Sequence, residues 1–386
     1  MKDEDVLADV FTSALDTPGI SVSVVRSTRG LEPITPREAL DRYFQSRKSK
    51  QSIRSNYKSY LNIFVRWCEG RDIDNLNDVS GRVLDDYKTW RRNNSLRGSG
   101  PIKEITLRTQ LIAVRKFISY CENIDAVESG LHTQVDLPDV DESDEVSDEH
   151  TEADEIEAAL SNLERLNHPS RASGLNPSEQ TRNSRDHAII GLIDHTTARR
   201  SDIHALDVED YHPSECRVEF IDRPETPLKN GNKSERMNKL SEEMCGILDR
   251  WIECYRPKNT NGEGRNPLFT TQYGRISKST IYDLTHRRTR PCKYKGTCPH
   301  DRDMDECEAL EDSKKNASKC PSSARPHAIR KGAITRHMAE IAMGRTDMTK
   351  EDLSERAGVS ERVLEKHYDH RKEIEKMNQR SDRLPF

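Results

Sequence analysis

Basic side chains in the second half of the sequence stand at turns and helix starts, where they can bind an anion. In "TTARRSD", Arg199 and Arg200 occupy a turn between two predicted helices. A planar guanidinium can donate paired hydrogen bonds to phosphate oxygens. In "PHAIR", His327 and Arg330 lie three residues apart, on one face of a helix, so both can point at a single anion. Each motif also has a simpler explanation. Arg199 and Arg200 could form surface ion pairs with an acid such as Asp202, and His327 and Arg330 could belong to a solvated helix start.

Two further segments carry side chains that suit phosphate chemistry. "PLKNGNKSER" places Lys229 and Lys233 at the tip of a predicted hairpin, where either amine could reach a substrate backbone. "LEKHYDH" places Tyr368 four residues after Leu364, on the same face of a terminal helix. Most hairpin lysines are simply solvated, and most such tyrosines belong to a core or its rim. Together, however, the four features point to phosphate.

Four of the nine cysteines form a cluster that predicts a metal site. Cys292, Cys298, Cys307 and Cys320 are separated by 5, 8 and 12 residues in a segment rich in Pro, Gly and Asp. These spacings lack the paired C-x2-C signature, but four thiols so close together are difficult to explain as core packing. We expect a structural tetrahedral Zn²⁺ on these four thiols, with His300 as an alternate ligand. Reduced, unliganded thiols in a loop are the alternative.

The net charge of −5 conceals a basic body. Residues 136–157 contain 12 acidic residues and no Lys or Arg, and the rest of the chain carries a net charge of +7. An acidic connector therefore masks a surface that suits an anionic partner. The sequence has no apolar run long enough to cross a bilayer and an acidic N-terminus without an apolar signal region, which predicts a soluble, cytoplasmic protein.

Hydrophobic periodicity predicts two mainly helical domains. After a tail at 1–33, four amphipathic helices form a compact bundle over 34–127, the first capped by Thr35 and the second ending at Gly70. An acidic linker follows at 128–155. The second domain, 156–378, has helices, a β-hairpin and the cysteine-bearing insertion at 290–321, and residues 379–386 form a tail. In this domain we expect Ser201 and Ser241 to cap helices.

In their order and spacing, the motifs resemble those of the tyrosine recombinases, the phage-integrase class, and most closely the archaeal integrases. The resemblance covers about residues 34–378. The family's T-G-L-R-x-S-E-L turn corresponds to "TTARRSDI", which selects Arg199 rather than Arg200. Its H-x-L-R-H signature corresponds to "HAIRK", and "KHY" ends at Tyr368 within the usual gap. The family's K-x-G favours Lys229 in "KNG", with Lys233 as the alternative in this longer tip.

The resemblance implies a fold and a function. The fold is mainly α: a SAM-like four-helix core-binding domain and a catalytic domain with helices and a small antiparallel sheet. The function is site-specific recombination of double-stranded DNA by a homotetramer, through a 3′-phosphotyrosine on Tyr368 and without a catalytic metal. Arg199 and Arg330 would neutralise phosphate charge, Lys229 would protonate the leaving oxygen, and His327 would assist in proton transfer.

One departure from the family pattern concerns the phosphate. The family usually has a His or Trp nine residues before the tyrosine and after a Gly, but here Gly358 is followed by Val359. His367 is the nearest substitute in sequence. Lys331 also stands where a histidine is common.

Other interpretations remain open on sequence alone. "TKEDLSERAGVSERVLEKHY" resembles a helix-turn-helix, which would make the chain a zinc-containing DNA-binding regulator without enzymatic activity. A recombinase fold that has lost activity and a type IB topoisomerase are the other possibilities. The regulator leaves the arginines, the hairpin lysines and His327 unexplained.

Overall fold

The structure is a computed structural model that describes residues 30–46, 51–95, 100–140, 150–172, 174–258, 264–310 and 316–368. The chain divides into two compact units, Met1–Glu145 and Val146–Phe386. This division falls within the predicted linker. Most of the predicted N-terminal tail and all of the predicted C-terminal tail lie outside the described residues.

Within the described part of the first unit there are four helices, as the periodicity predicts. They are α1 (Pro36–Gln45), α2 (Gln51–Glu69), α3 (Gly81–Asn93) and α4 (Glu104–Asn123). Thr35 accepts a hydrogen bond from the Glu38 N–H, which confirms the predicted cap. Short 3₁₀ turns at Leu76–Asp78 and Leu131–Gln134 connect and close the bundle.

The core of this unit is aromatic. Tyr43, Phe64 and Phe117 are fully buried and meet edge to face, with ring centroids between Tyr43 and Phe117 5.5 Å apart. Such pairs add to the stabilisation from area burial alone. Leu131 and Val135, which lie inside the predicted linker, are also buried in this core. The chain therefore leaves the first unit later than the composition indicates.

Helices also dominate the second unit. They are α5 (Ala153–Asn167), α6 (Pro169–Ala172), α7 (Pro177–Thr196), α8 (Arg200–Ala205), α9 (Glu242–Arg250), α10 (Lys278–Arg288), α11 (Cys292–Lys295), α12 (Pro326–Met343), α13 (Lys350–Ala357) and α14 (Glu361–Tyr368). A π-helical turn, Trp251–Tyr255, extends α9, and short 3₁₀ turns lie at Val208–Asp210, Pro213–Glu215, Gly231–Ser234, Glu308–Leu310 and Ala317–Lys319.

Small antiparallel sheets complete the described part of this unit. Strands β1 (Tyr211–His212), β2 (Arg217–Phe220) and β3 (Arg236–Lys239) pair in sequence order, with Val218 opposite Asn238 and Phe220 opposite Arg236. Strands β4 (Thr270–Thr271) and β5 (Gly274–Arg275) form a separate pair. The β2–β3 pair confirms the predicted hairpin, and its connection carries Lys229 and Lys233.

The later part of helix α7 lies in the core of the second unit. Residues 183–193 are buried, and Ala188–Ile190, Leu192 and Ile193 have no exposed surface. Helices α12, α13 and α14 form a neighbouring cluster around Ile334, Leu353 and Leu364. The α12–α14 cluster thus places the predicted nucleophile helix beside the helix of His327 and Arg330. Among the described residues, no helix is long and apolar enough to cross a membrane.

Candidate active site

Arg199 stands at the start of α8 and reaches the turn between α13 and α14. Its Nη2 donates to the Gly358 carbonyl at 2.7 Å. Its Nη1 is buried and, within the described ranges, has no hydrogen-bond partner. Arg200, the neighbouring candidate, instead lies with its guanidinium 5.8 Å from the centre of the Tyr282 ring. Only Arg199 of the two therefore contacts the segment that leads to Tyr368.

Arg330 lies in the first turns of α12, where it is 1% exposed. It donates to the carbonyl oxygens of Thr197 and Ala357, the second at 2.8 Å. Thr197 has a φ of 54°, which ends α7 in the left-handed region and turns its carbonyl toward this guanidinium. Burial, followed by the charge of Arg199, lowers the pKa of Arg330 to about 9. The guanidinium is still charged at neutral pH, so the site retains a buried cation.

Asp202 and Arg236 connect the arginine turn to the sheet. The fully buried Asp202 carboxylate accepts from the Arg199 backbone N–H at 3.1 Å and from Arg236 Nη2 at 2.8 Å. The first contact explains why α8 begins at Arg200: the Asp202 carboxylate binds the N–H that precedes the helix. The predicted cap by Ser201 is therefore wrong. Ser201 instead donates to Asp202 at 3.1 Å.

Lys229 lies at the β2–β3 connection, with its side chain exposed. Its pKa is lowered by partial desolvation, then by the charges of Arg199 and Arg330, while Asp202 acts in the opposite direction. The amine of Lys229 is thus within electrostatic reach of both arginines. Lys233, the alternative, is also exposed and lies in the 3₁₀ turn Gly231–Ser234.

His327 is the second residue of α12, one turn before Arg330, and its side chain is exposed. Desolvation and the charge of Arg330 lower its pKa to about 4. The charges of Arg325, Lys229 and Arg199 act in the same direction. His327 is therefore neutral at pH 7, where a ring nitrogen can accept a proton.

Tyr368 ends α14 and is 6% exposed. Its side chain packs in the α12–α14 cluster with Ile334 and Met338. The Tyr368 phenol acts to raise the pKa of Arg330, against the effect of burial, so the phenol lies within electrostatic reach of that guanidinium. Val359 packs against the same cluster and contributes no polar group. The nucleophile candidate therefore lies within electrostatic reach of Arg330, and the apolar Val359 stands where the resemblance predicts a His or Trp.

The site as a whole carries excess positive charge. Four cations lie within electrostatic reach of one another: the guanidiniums of Arg199, Arg236 and Arg330 and the amine of Lys229. The Asp202 carboxylate lies among them. Like charges at close range repel and are stabilised by a bound anion. This arrangement, with one buried guanidinium nitrogen lacking a protein partner, suits a phosphodiester.

Sequence reasoning missed Arg236 as a member of the site. It faces inward from β3, opposite Phe220, with its guanidinium 4.2 Å from the centre of that ring. The available signal was the alternation of Arg236 and Asn238 on the inward face of β3, where apolar residues are usual. Two adjacent polar residues on an inward face indicate specific partners.

The four clustered cysteines line one small cavity, together with Arg290, Pro291, Pro299, His300, Arg302, Met304, Ala309 and Leu310. Burial raises the pKa of Cys320, and the neighbouring Cys292 and Cys298 add to this effect. Within the described ranges, no group of three or more His, Cys, Asp or Glu side chains is arranged to hold a metal ion as it stands. His300 instead contacts Ser322, with Nε2 3.0 Å from the hydroxyl oxygen.

No family model and no curated protein matches the chain. Solved structures do match. The Tn1549 transposon integrase in complex with a circular intermediate DNA superposes with a TM-score of 0.61 at 13% identity, over 91% of this chain and 100% of that one. A lambda integrase dimer bound to a COC′ core site gives a TM-score of 0.53 at 12% identity, over 100% of this chain and 83% of that one.

At this level of identity the similarity establishes the fold. The chain has the mainly helical fold, with a small antiparallel sheet, of tyrosine recombinases. The fold class predicted from the sequence is therefore confirmed, and the archaeal branch stays a prediction.

Proposed function

We propose that this protein is a site-specific DNA recombinase that cleaves and rejoins strands through a 3′-phosphotyrosine intermediate. The observation that carries the proposal is that Arg199, Arg330, Lys229 and His327 lie within electrostatic reach of one another, and Arg330 within reach of Tyr368. The fold supports it, because the similar solved integrases are bound to a circular intermediate DNA and to a core site.

The proposed chemistry assigns each group one role. The Tyr368 hydroxyl oxygen attacks the scissile phosphorus, the bond to the 5′ oxygen breaks, and a 3′-phosphotyrosine and a free 5′-hydroxyl result. Arg199 and Arg330 stabilise the charge that develops on the non-bridging oxygens. Lys229, whose pKa is lowered, donates a proton to the departing 5′ oxygen. His327 is neutral near pH 7 and accepts the proton of the attacking hydroxyl.

The helix-turn-helix alternative loses support from the contacts at the end of α13. The carbonyls that end this helix accept hydrogen bonds from Arg199 and Arg330. A DNA-binding regulator leaves both arginines unexplained. A fold that has lost activity remains an outcome of the experiment below, because Val359 supplies no donor to the phosphate.

Covalent capture on DNA tests the proposal. The full chain is incubated with a library of nicked duplexes that have a randomised centre, and adducts that survive detergent are isolated and sequenced. We expect adducts enriched in one sequence, none with Tyr368→Phe, and an unchanged yield with Tyr273→Phe, a matched change at an exposed tyrosine. Binding of one sequence without any adduct would support a regulator or an inactive recombinase. An adduct that survives Tyr368→Phe would refute the assigned nucleophile.

Assembly on DNA belongs to the same proposal. We infer that four copies act on two synapsed double-stranded sites in the cytoplasm, at the nucleoid. Light scattering of the protein with the selected duplex would reveal this assembly. A complex that never exceeds one copy per duplex would contradict it.

We further propose that Cys292, Cys298, Cys307 and Cys320 bind a structural Zn²⁺. The support is their shared cavity and the chemistry of four thiols, the donor set of many structural zinc sites. The metal would stabilise the segment before α12 and would take no part in strand cleavage.

Metal analysis of purified protein tests the zinc proposal. We expect about one zinc ion per chain, lost in Cys292→Ser and in Cys320→Ser. Cys254→Ser, at an exposed cysteine outside the cluster, should retain it. Zinc-supplemented protein that contains no zinc, or a zinc content that the cluster variants leave unchanged, would refute the site.

A further inference from the structure

Consecutive backbone carbonyls at the end of α13 each accept a hydrogen bond from a different arginine. These bonds are Arg236 Nε to the Arg356 oxygen at 2.9 Å, Arg330 Nη2 to the Ala357 oxygen at 2.8 Å, and Arg199 Nη2 to the Gly358 oxygen at 2.7 Å. The last carbonyls of a helix lack partners within it and carry partial negative charge. We refer to these three contacts as the α13 arginine clasp.

Gly358 gives the clasp its close geometry. It ends α13 with a φ of 59°, in the left-handed region that favours glycine. A Cβ at this position would lie 3.4 Å from both Arg199 Nη1 and Arg236 Nη1. Two guanidiniums therefore lie against one backbone turn, immediately before the helix that carries Tyr368.

Arg236 differs from Arg199 in the clasp because each of the Arg236 nitrogens has a protein partner. Nε binds the Arg356 carbonyl, Nη1 binds the Ser234 carbonyl at 3.0 Å, and Nη2 binds Asp202. Its side chain is 5% exposed. Arg199, in contrast, has one buried nitrogen without a partner in the described chain. A phosphate can therefore bind Arg199 Nη1 without loss of a protein contact, whereas all three nitrogens of Arg236 already donate to protein oxygens.

Through these contacts Arg236 joins the segments of the site. It is part of β3, it binds the carboxylate that fixes the Arg199 turn, and it binds the end of α13. Asn238, its neighbour on the same face of β3, donates to the Arg356 carbonyl at 3.1 Å and to the Thr196 carbonyl at 3.0 Å. The sheet thereby holds the end of α13 against the phosphate-binding turn.

We propose that Arg236 is a positioning residue for the nucleophile. It holds the end of α13 so that α14 presents Tyr368 to the phosphate bound by Arg199 and Arg330, and it does not itself contact DNA. This inference rests on the proposed recombinase function. Arg236 would only position the nucleophile. Arg199 and Arg330 contact the same turn and would also bind the substrate.

Hydrogen exchange without DNA tests the positioning role independently of activity. Arg236→Lys retains a cation for Asp202 but cannot also reach the Arg356 carbonyl with a planar fork. We expect amides of residues 359–368 to exchange roughly 10-fold faster in this variant, the effect of one or two lost hydrogen bonds. Amides of α4 serve as the internal control. Unchanged exchange in 359–368 would overturn the proposal whether or not the protein cleaves DNA.

Cleavage on two substrates separates positioning from proton donation. On the selected duplex, Arg236→Lys and Arg236→Gln should lower the rate of adduct formation by about 100-fold, the loss that a misplacement of about 1 Å causes. DNA affinity should change by less than about threefold, because Arg236 makes no phosphate contact. Replacement of the 5′ bridging oxygen by sulfur, a leaving group that needs no acid, should restore Lys229→Ala but neither Arg236 variant.

The outcomes distinguish the two proposals. If the sulfur substrate restored adduct formation by the Arg236 variants, Arg236 would act in proton donation. If the variants lost DNA affinity in parallel with rate, Arg236 would contact the phosphate. Either result overturns the positioning role. Wild-type cleavage by the variants would also overturn it. If Arg236→Gln does not fold, Arg236→Lys carries the test. Failure of the wild-type chain to form any adduct would refute the proposed function, while the exchange result would still decide the positioning role.

Discussion

Gly332 offers a stability test of how the second unit is packed around α12. It lies on α12, two residues after Arg330, and the chain before α5 crosses it closely. A Cβ on Gly332 would lie 2.1 Å from the Thr151 carbonyl oxygen and 3.2 Å from its carbonyl carbon. Thr151 is 5% exposed and its N–H donates to the Ala328 carbonyl at 3.2 Å. Gly332→Ala must therefore displace backbone, not a flexible side chain.

The magnitude follows from three contributions. Overpacking of this kind costs about 1–3 kcal/mol. Loss of the Thr151 hydrogen bond costs about 1 kcal/mol. Replacement of glycine by alanine within a helix stabilises the folded state by about 0.5–1 kcal/mol, which offsets part of this loss. We expect the free energy of unfolding to fall by about 1–3.5 kcal/mol, which lowers the melting temperature by about 2–4 °C for each kcal/mol in a unit of this size.

Gly246→Ala is the matched control. Gly246 lies within α9, and a Cβ there would have no atom within 4 Å. This change should stabilise the protein by about 0.5–1 kcal/mol, through the lower entropy of the unfolded chain. Denaturant unfolding followed by circular dichroism measures both variants. Gly332→Ala that is as stable as Gly246→Ala would refute the close crossing of Thr151 over α12.

Other predictions concern acidity, proton donation and the buried acid. Desolvation lowers the pKa of His187 and of His286 from 6.5 to about 4. The unfolded chain therefore binds more protons between these values, and the free energy of unfolding should fall by up to about 1.4 kcal/mol per pH unit for each histidine as the pH drops from 6.5 to 4; a flat stability profile over this range would contradict it. Lys229→Ala should slow adduct formation by about 100-fold or more, and a larger effect of Lys233→Ala would transfer the acid to that residue. Asp202→Asn should cost about 3–5 kcal/mol, because it leaves a buried arginine charge unpaired; denaturant unfolding within about 1 kcal/mol of wild type would contradict the buried pair.

Local sequence signals predicted the elements well where the causes are local. Thr35 and Ser241 cap their helices as expected, because a hydroxyl at the first position binds an N–H three residues later. The turn and alternating residues around Lys229 predicted the hairpin. The cap at Ser201 was wrong because α8 begins one residue earlier, at Arg200, so Ser201 lies inside its first turn. The Asp202 carboxylate binds the N–H that precedes the helix. Local propensity does not fix a helix start to the exact residue.

Contacts between distant segments could not be predicted from the sequence. The α13 arginine clasp depends on backbone carbonyls, which every residue possesses and no residue type reveals. The crossing of Thr151 over Gly332 likewise depends on how the chain enters the second unit. Motif order brought Arg199, Arg330 and Tyr368 together as a prediction, but Arg236 belonged to no motif. Residues that position others through backbone atoms leave little trace in a single sequence.

The most direct test of the central claim is the identity of the protein–DNA bond. The adduct formed on the selected nicked duplex is digested with nuclease and protease, and the modified peptide is sequenced by mass spectrometry. We predict a phosphodiester from the 3′ end of the DNA to the hydroxyl of Tyr368, with a 5′-hydroxyl on the released strand. A nucleotide on any other residue, or a released strand with a 5′-phosphate, would contradict the account.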